Sequence, residues 1–175
     1  GREVKDGGGI LPDIDIENKK FANITYSLAN KRLIFDFATK FRFQNKEISE
    51  PKSFYITDDV FDQFKTFLLD KEYEYTTATE DALQIVEEIS KEEESFQLIS
   101  EHLKLLDDAI KLNKKNDLHN NKEEISDFLA NEIVSRYYYQ EGRIIQSLKN
   151  DKYIEEALRI FNNLDEYDKI LNLND

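Results

Sequence analysis

Cysteine, methionine and tryptophan are missing from this chain. Without cysteine there is no disulfide and no zinc–thiolate site. Without methionine there is no initiator residue, so the 175 residues read as a processed chain or a piece of a longer one. Glycine and proline are scarce, at five and two. Four of the glycines and one proline fall within the first fourteen residues, Gly1 to Ile14. No run of about 18 apolar residues exists, so no segment has the length and character of a membrane-spanning helix. Positive charge is in deficit: 24 Lys and Arg against 37 Asp and Glu give a net charge of −13. Such a surface repels phosphate, which argues against a nucleic-acid partner and against docking on an anionic bilayer.

What is present is aromatic and charged. Twelve Phe and nine Tyr supply large apolar area, and 35% of residues carry charge. That is enough for one domain with a real core, or a compact domain with an appendage. After the glycine-rich stretch, Ile14-Asp15-Ile16 alternates as the end of a strand would. From about Lys19 the period becomes helical. Phe21, Ile24 and Leu28 share one face. After a break near Asn30, Leu33, Ile34, Phe37, Ala38 and Phe41 share another. Pro51 marks the connection from Gln44 to Tyr55 as non-helical. Thr57 caps the next helix, with Asp58 and Asp59 in its first turn and Val60, Phe61, Phe64, Phe67 and Leu68 on its apolar face.

Tyr73 and Tyr75 lie in an extended link, and Thr77 or Thr79 caps a helix whose inner side carries Leu83, Val86 and Ile89. Phe96, Ile99, Leu103, Leu106 and Ile110 follow at alternating spacings of three and four. That seam lasts about two heptads, which suits a helix packed inside a bundle. Residues 113–121 form a turn or a weak helix start. A long helix then carries Ile125, Phe128, Leu129, Ile133, Val134 and Tyr137 and is expected to end near Gly142. Ile144, Ile145 and Leu148 make a short element. Asn150 or Asp151 caps a helix bearing Ile154, Ala157, Leu158 and Phe161, and Asp165 caps a last turn or two. The fold class is all-α, an irregular multi-helix bundle behind a short glycine-rich extended segment.

Residues able to carry chemistry are few. His102 and His119 sit in strongly polar surroundings and read as exposed helix or turn positions. No His-Glu-x-x-His or EF-hand spacing occurs. Glu87-Glu88 and Asp107-Asp108 are sequence neighbours, so on a helix they do not share a face and make poor paired catalytic carboxylates. Gly7-Gly8-Gly9 lacks the Lys-Ser/Thr of a phosphate loop and reads as a tight turn. Arg136-Tyr137-Tyr138-Tyr139 reads either as a contact surface or as a packed Tyr137 with surface neighbours. No Ser or Lys lies in a recognisable nucleophile setting. No catalytic, metal or cofactor residue is assigned.

Gly1-Arg2-x-Val4 followed by Gly7-Gly8-Gly9-Ile10-x-Pro12-Asp13-Ile14 resembles a signature of the C-terminal processing peptidases, or tail-specific proteases, in its Bacteroidetes form. The following regions are also similar: Phe37-Ala38, the Phe61 to Phe64 helix, Glu132-Ile133-Val134-Ser135-Arg136-Tyr137 with a glycine beyond, Asp151 to Leu158, and Tyr167. The resemblance implies a parent serine endopeptidase with a Ser nucleophile, a Lys general base and a substrate-gating PDZ domain upstream. Such a Lys works if burial keeps it neutral enough to take the Ser proton. In the family both catalytic residues precede the glycine segment, so none is carried over to this chain.

Residues 1–16 are then expected to be the end of the catalytic core and 17–175 the C-terminal helical domain. On that division the glycine-rich start is expected to be poorly ordered without the core it joins. The partners implied are the rest of the parent (core and PDZ domain) and its protein substrates, with self-association as a further expectation. The compartment implied by the resemblance alone is the periplasm or cell envelope. Two other readings of the residues are a stand-alone helical adaptor and, with less to support it, an acidic cation-binding protein.

Overall fold

The computed structural model describes residues 12–17 and 20–171. The glycine turn and most of the expected core remnant lie outside the described residues. Within them the chain is all-helical, as the periodicity requires, and contains no strand. Ile14 to Ile16 is irregular, because no second strand is there to pair with it.

Helix α1 (Asn23–Asn30) and α2 (Leu33–Gln44) are separated at Arg32, which turns the chain with a left-handed φ of 59°. Helix α3 (Asp58–Leu68) starts at Thr57, whose hydroxyl accepts from the Val60 N–H at 3.3 Å. Helix α4 (Ala78–Glu92) starts at Thr77 in a capping box with Glu80. Then come α5 (Phe96–Lys115), the single turn α6 (Asp117–Asn120) and α7 (Lys122–Ser147). A 3-10 turn (Leu148–Asn150) leads to α8 (Lys152–Phe161) and α9 (Leu164–Ile170).

One core joins α1, α2, α3 and α7. Ile24, Leu28, Ile34, Phe37, Phe64, Leu68, Leu129 and Ile133 are buried in it. Phe37 meets Phe64 edge to face at 5.1 Å between ring centres, which ties α2 to α3. Phe54, from the link before α3, closes one side.

Two helical arms stand off this core. In the α4–α5 arm, Leu103 is the buried apolar residue, and Ser90, near the end of α4, is also buried. Val86, Ile89 and Leu106 were expected to face inward and are about half exposed. The apolar arcs of α4 and α5 are wider than the strip one partner helix covers, so each overhangs the contact. The α8–α9 arm behaves likewise. Ile154, Leu158 and Phe161 share a strongly apolar stripe, yet all are exposed. Phe161 packs along the arm, its ring 5.6 Å from Tyr167.

Two boundaries differ from expectation. The long helix does stop near Gly142, but the break comes at Tyr139 (φ 55°, ψ −149°) and not at the glycine, which is buried in the second stretch of α7 that runs on to Ser147. The cap of α9 is Asn163, whose side chain accepts from the Glu166 N–H, and not Asp165.

Candidate functional site

The distinctive chemistry of this domain lies along the seam between α7 and the α1–α2 pair. Ile133 and Val134 point into the core, both fully buried. That places Glu132, Ser135 and Arg136 at the seam's edge. The Arg136 guanidinium donates through Nε to Thr39 Oγ1 at 3.1 Å, through Nη1 to Glu132 Oε2 at 2.9 Å, and through Nη2 to the Phe35 carbonyl at 2.7 Å. It also lies 4.4 Å from the centre of the Phe35 ring. Few side chains other than arginine can meet a carboxylate, a hydroxyl, a carbonyl and a ring at once.

The next two residues continue the clamp. The Tyr137 hydroxyl donates to the Asn45 carbonyl at 2.6 Å, just past the end of α2. Burial raises the Tyr137 hydroxyl's pKa, with the Arg42 guanidinium over its ring pulling the other way. Tyr138 donates to the Ile48 carbonyl at 3.3 Å. Tyr139 is the one left out, 79% exposed. The tyrosine triplet therefore divides: two members lock α7 to the segment after α2, and the third lies on the surface.

The start of α1 is pinned to the same helix. Phe21 stacks edge to face on Phe128 at 5.0 Å. Glu124 is buried, and its Oε1 accepts from the Ala22 N–H at 2.8 Å and from Thr25 Oγ1 at 2.6 Å. Helix α1 has no cap of its own. A carboxylate from the first turn of α7 supplies one, at the end of α1 where the helix dipole favours negative charge. Glu124 was not singled out in the sequence. Its partners are about a hundred positions away, and no local pattern announces them.

The α4–α5 arm is anchored by a second polar cluster. Lys114 pairs with Glu80 at 2.9 Å and donates to the Tyr75 carbonyl. The Tyr75 hydroxyl donates to Asp117. Burial first, and then the Asp117 carboxylate, push the Tyr75 hydroxyl far up. Burial alone would raise Glu80, but hydrogen bonds from Lys114 and Thr77 outweigh it and hold the carboxyl below its ordinary value. On the other side of the core, burial lowers the Lys149 ammonium, the direction a general base requires. Its Nζ, however, donates to the Phe54 carbonyl at 2.6 Å and Gln146 Oε1 at 2.9 Å, which makes it a tie between α7 and the α3 approach.

The residues marked from sequence are not brought together. His102 is exposed on α5 and His119 on α6. Glu87 pairs with Lys91 at 2.6 Å and Asp107 with Lys111 at 2.5 Å, each along its own helix. Among the described residues no group of His, Asp and Glu is assembled as a metal site, and no helix is long and apolar enough to cross a membrane. An open groove of about 900 Å³ lies along α7, walled by Phe21, Phe128, Asn131, Tyr139, Arg143 and Ile144.

The fold and its seam define an all-α packing domain: a helical core whose specific polar contacts clamp the chain leading into α1 and carry two arms. A family model described as "Probable PDZ-protease, C-terminal helical domain" matches residues 24–161, from α1 to the end of α8, and the chain belongs to that family. No curated protein matches the chain, and no solved structure matches it.

Proposed function

We propose that this chain is the C-terminal helical domain of a tail-specific serine endopeptidase and serves it as a non-catalytic support. The observation that carries the reading is the clamp on the incoming chain, formed by Phe21 on Phe128 and by Glu124 on Ala22 and Thr25. A segment gripped within one turn of the helix it leads into transmits the position of whatever precedes it. The family match supports reading that preceding region as part of a protease. The serine type and the preference for C-terminal tails rest on the resemblance of the Gly1 to Ile14 segment. An envelope or periplasmic location rests on the same resemblance.

In this reading the parent supplies the Ser nucleophile and the Lys base, and its substrates are proteins threaded by their C-termini. The helical domain fixes one wall of the core and holds the α4–α5 arm at a set angle to it. The test is made in the parent protease with Phe21→Ala and Glu124→Ala combined. Expected are faster proteolytic nicking near residues 14–22 and a fall in turnover of a tail peptide. Faster nicking with turnover unchanged would remove the support role.

A further inference from the structure

We propose that Tyr139 is a sprung hinge in α7, about which the chain carrying α8 and α9 moves between the folded-back position seen here and one in which α7 runs straight. The geometry departs from a single helix by a wide margin. At 1.5 Å per residue, Glu132 and Arg143 would stand about 16 Å apart along a straight axis. Here their side chains meet at 3.7 Å. Val134 and Gly142 would be about 12 Å apart in the same way. Instead a Cβ placed on Gly142 would lie 3.0 Å from Val134 Cγ1 and 2.2 Å from Tyr138 Cβ. The whole reversal is concentrated at one residue with φ 55° and ψ −149°, a region that glycine occupies and a tyrosine side chain resists.

Nothing in the local sequence demands the break. Residues 136–147 contain no proline and one glycine, and the residues on both sides of Tyr139 are helical. The Tyr139 side chain is largely in solvent, so burial does not compensate for its backbone. The folded-back state is held from elsewhere. Gly142 fits a notch made by Val134, Tyr138 and Pro51, Lys149 ties to the Phe54 carbonyl, and Asn150 ties to Asp127 at 2.9 Å. Local backbone preference and these distant ties therefore oppose one another, and a second state in which the ties are released relieves the strain. Straightening α7 opens the groove between its two halves, since Asn131 and Glu132 line one wall and Arg143 and Ile144 the other.

The chain has no cysteine, so a spin-label pair is introduced cleanly at two exposed sites, Lys65→Cys on α3 and Asn162→Cys beyond α8. Pulsed dipolar distances are compared in the otherwise unaltered chain, in Tyr139→Gly and in Gly142→Leu. Two distance populations are expected in the unaltered chain. Tyr139→Gly collects them into the folded-back one, and Gly142→Leu into the other. Tyr139→Gly also raises the folding equilibrium constant about tenfold, against the ordinary cost of glycine in a helix. One unchanged distance in the unaltered chain and in Tyr139→Gly overturns the hinge, and so does a fall in stability of Tyr139→Gly. Those two comparisons decide the matter even if Gly142→Leu does not fold.

Discussion

Arg136 and Phe35 lie 101 positions apart in the chain and are joined twice, by a 2.7 Å hydrogen bond from the guanidinium to the Phe35 carbonyl and by the guanidinium resting over the Phe35 ring. This pair fastens α7 to the first turn of α2. It also explains why the Glu-Ile-x-x-Arg-Tyr pattern reads as a unit. The apolar members enter the core, while the Glu, Arg and Tyr close the seam above it.

Removing that guanidinium takes one partner each from the Thr39 hydroxyl and the Phe35 carbonyl, which stay bonded to one another at 2.9 Å, and leaves Glu132 with Arg143 at 3.7 Å. Arg136→Ala is expected to lower stability by about 2–3 kcal/mol. Arg136→Lys should recover less than half of the loss, because an ammonium cannot reach all three groups in one plane. Urea denaturation of the three proteins measures both.

Glu124 caps a helix it does not belong to. Glu124→Ala is expected to cost about 1–2 kcal/mol through the lost cap and the stranded Thr25 hydroxyl. Glu124→Gln keeps an acceptor but removes the charge at the helix end, and should cost about half as much. Hydrogen exchange at the first turn of α1 should speed up in both, more in the alanine variant.

Gly142 separates two explanations of a buried helical glycine. Helix propensity alone favours Gly142→Ala by about 1 kcal/mol. The notch predicts the opposite sign, because the new methyl would lie 2.2 Å from Tyr138 Cβ, at the base of a side chain whose hydroxyl is tied to Ile48. The folded-back state is expected to lose about 2 kcal/mol or more relative to the straight one, read as a shift of the spin-label distances in the same direction as in Gly142→Leu.

Acid should loosen the α4–α5 arm by way of Glu80. Its folded-state pKa lies below the ordinary 4.5. A depressed value of this kind contributes stability that is fully present above the unfolded-state pKa. That contribution is lost as pH falls through the folded-state value. The unaltered chain should therefore lose stability more steeply than Glu80→Gln between about pH 5 and about pH 3, as read from urea midpoints.

The helices of the core were legible because their apolar residues recur at helical spacing and their caps are local. Thr57 with its two aspartates, Thr77 as one of the two candidate caps of α4, and the Leu33 to Phe41 face all fall where the pattern places them. The exposure of the arms was not legible, for a physical reason. Val86, Leu106, Ile154 and Leu158 have the spacing of core residues, and spacing does not reveal whether a partner is there to cover them. The seam was half legible. Tyr137 reads as packed, but Glu124, Lys149 and the Tyr139 break depend on segments that meet only after folding. A glycine near the end of a long apolar pattern looks like a stop signal, and here it is a contact point.

The support role is tested most directly by peptidase activity. Equal molar amounts of this chain and of the parent protease are incubated with casein and with a peptide ending in an apolar C-terminal tail, and new amines are counted. The expected result is turnover by the parent and none above blank by the chain. Turnover by the purified chain alone, retained through a second purification step, would contradict the support role and require a catalytic site within these helices.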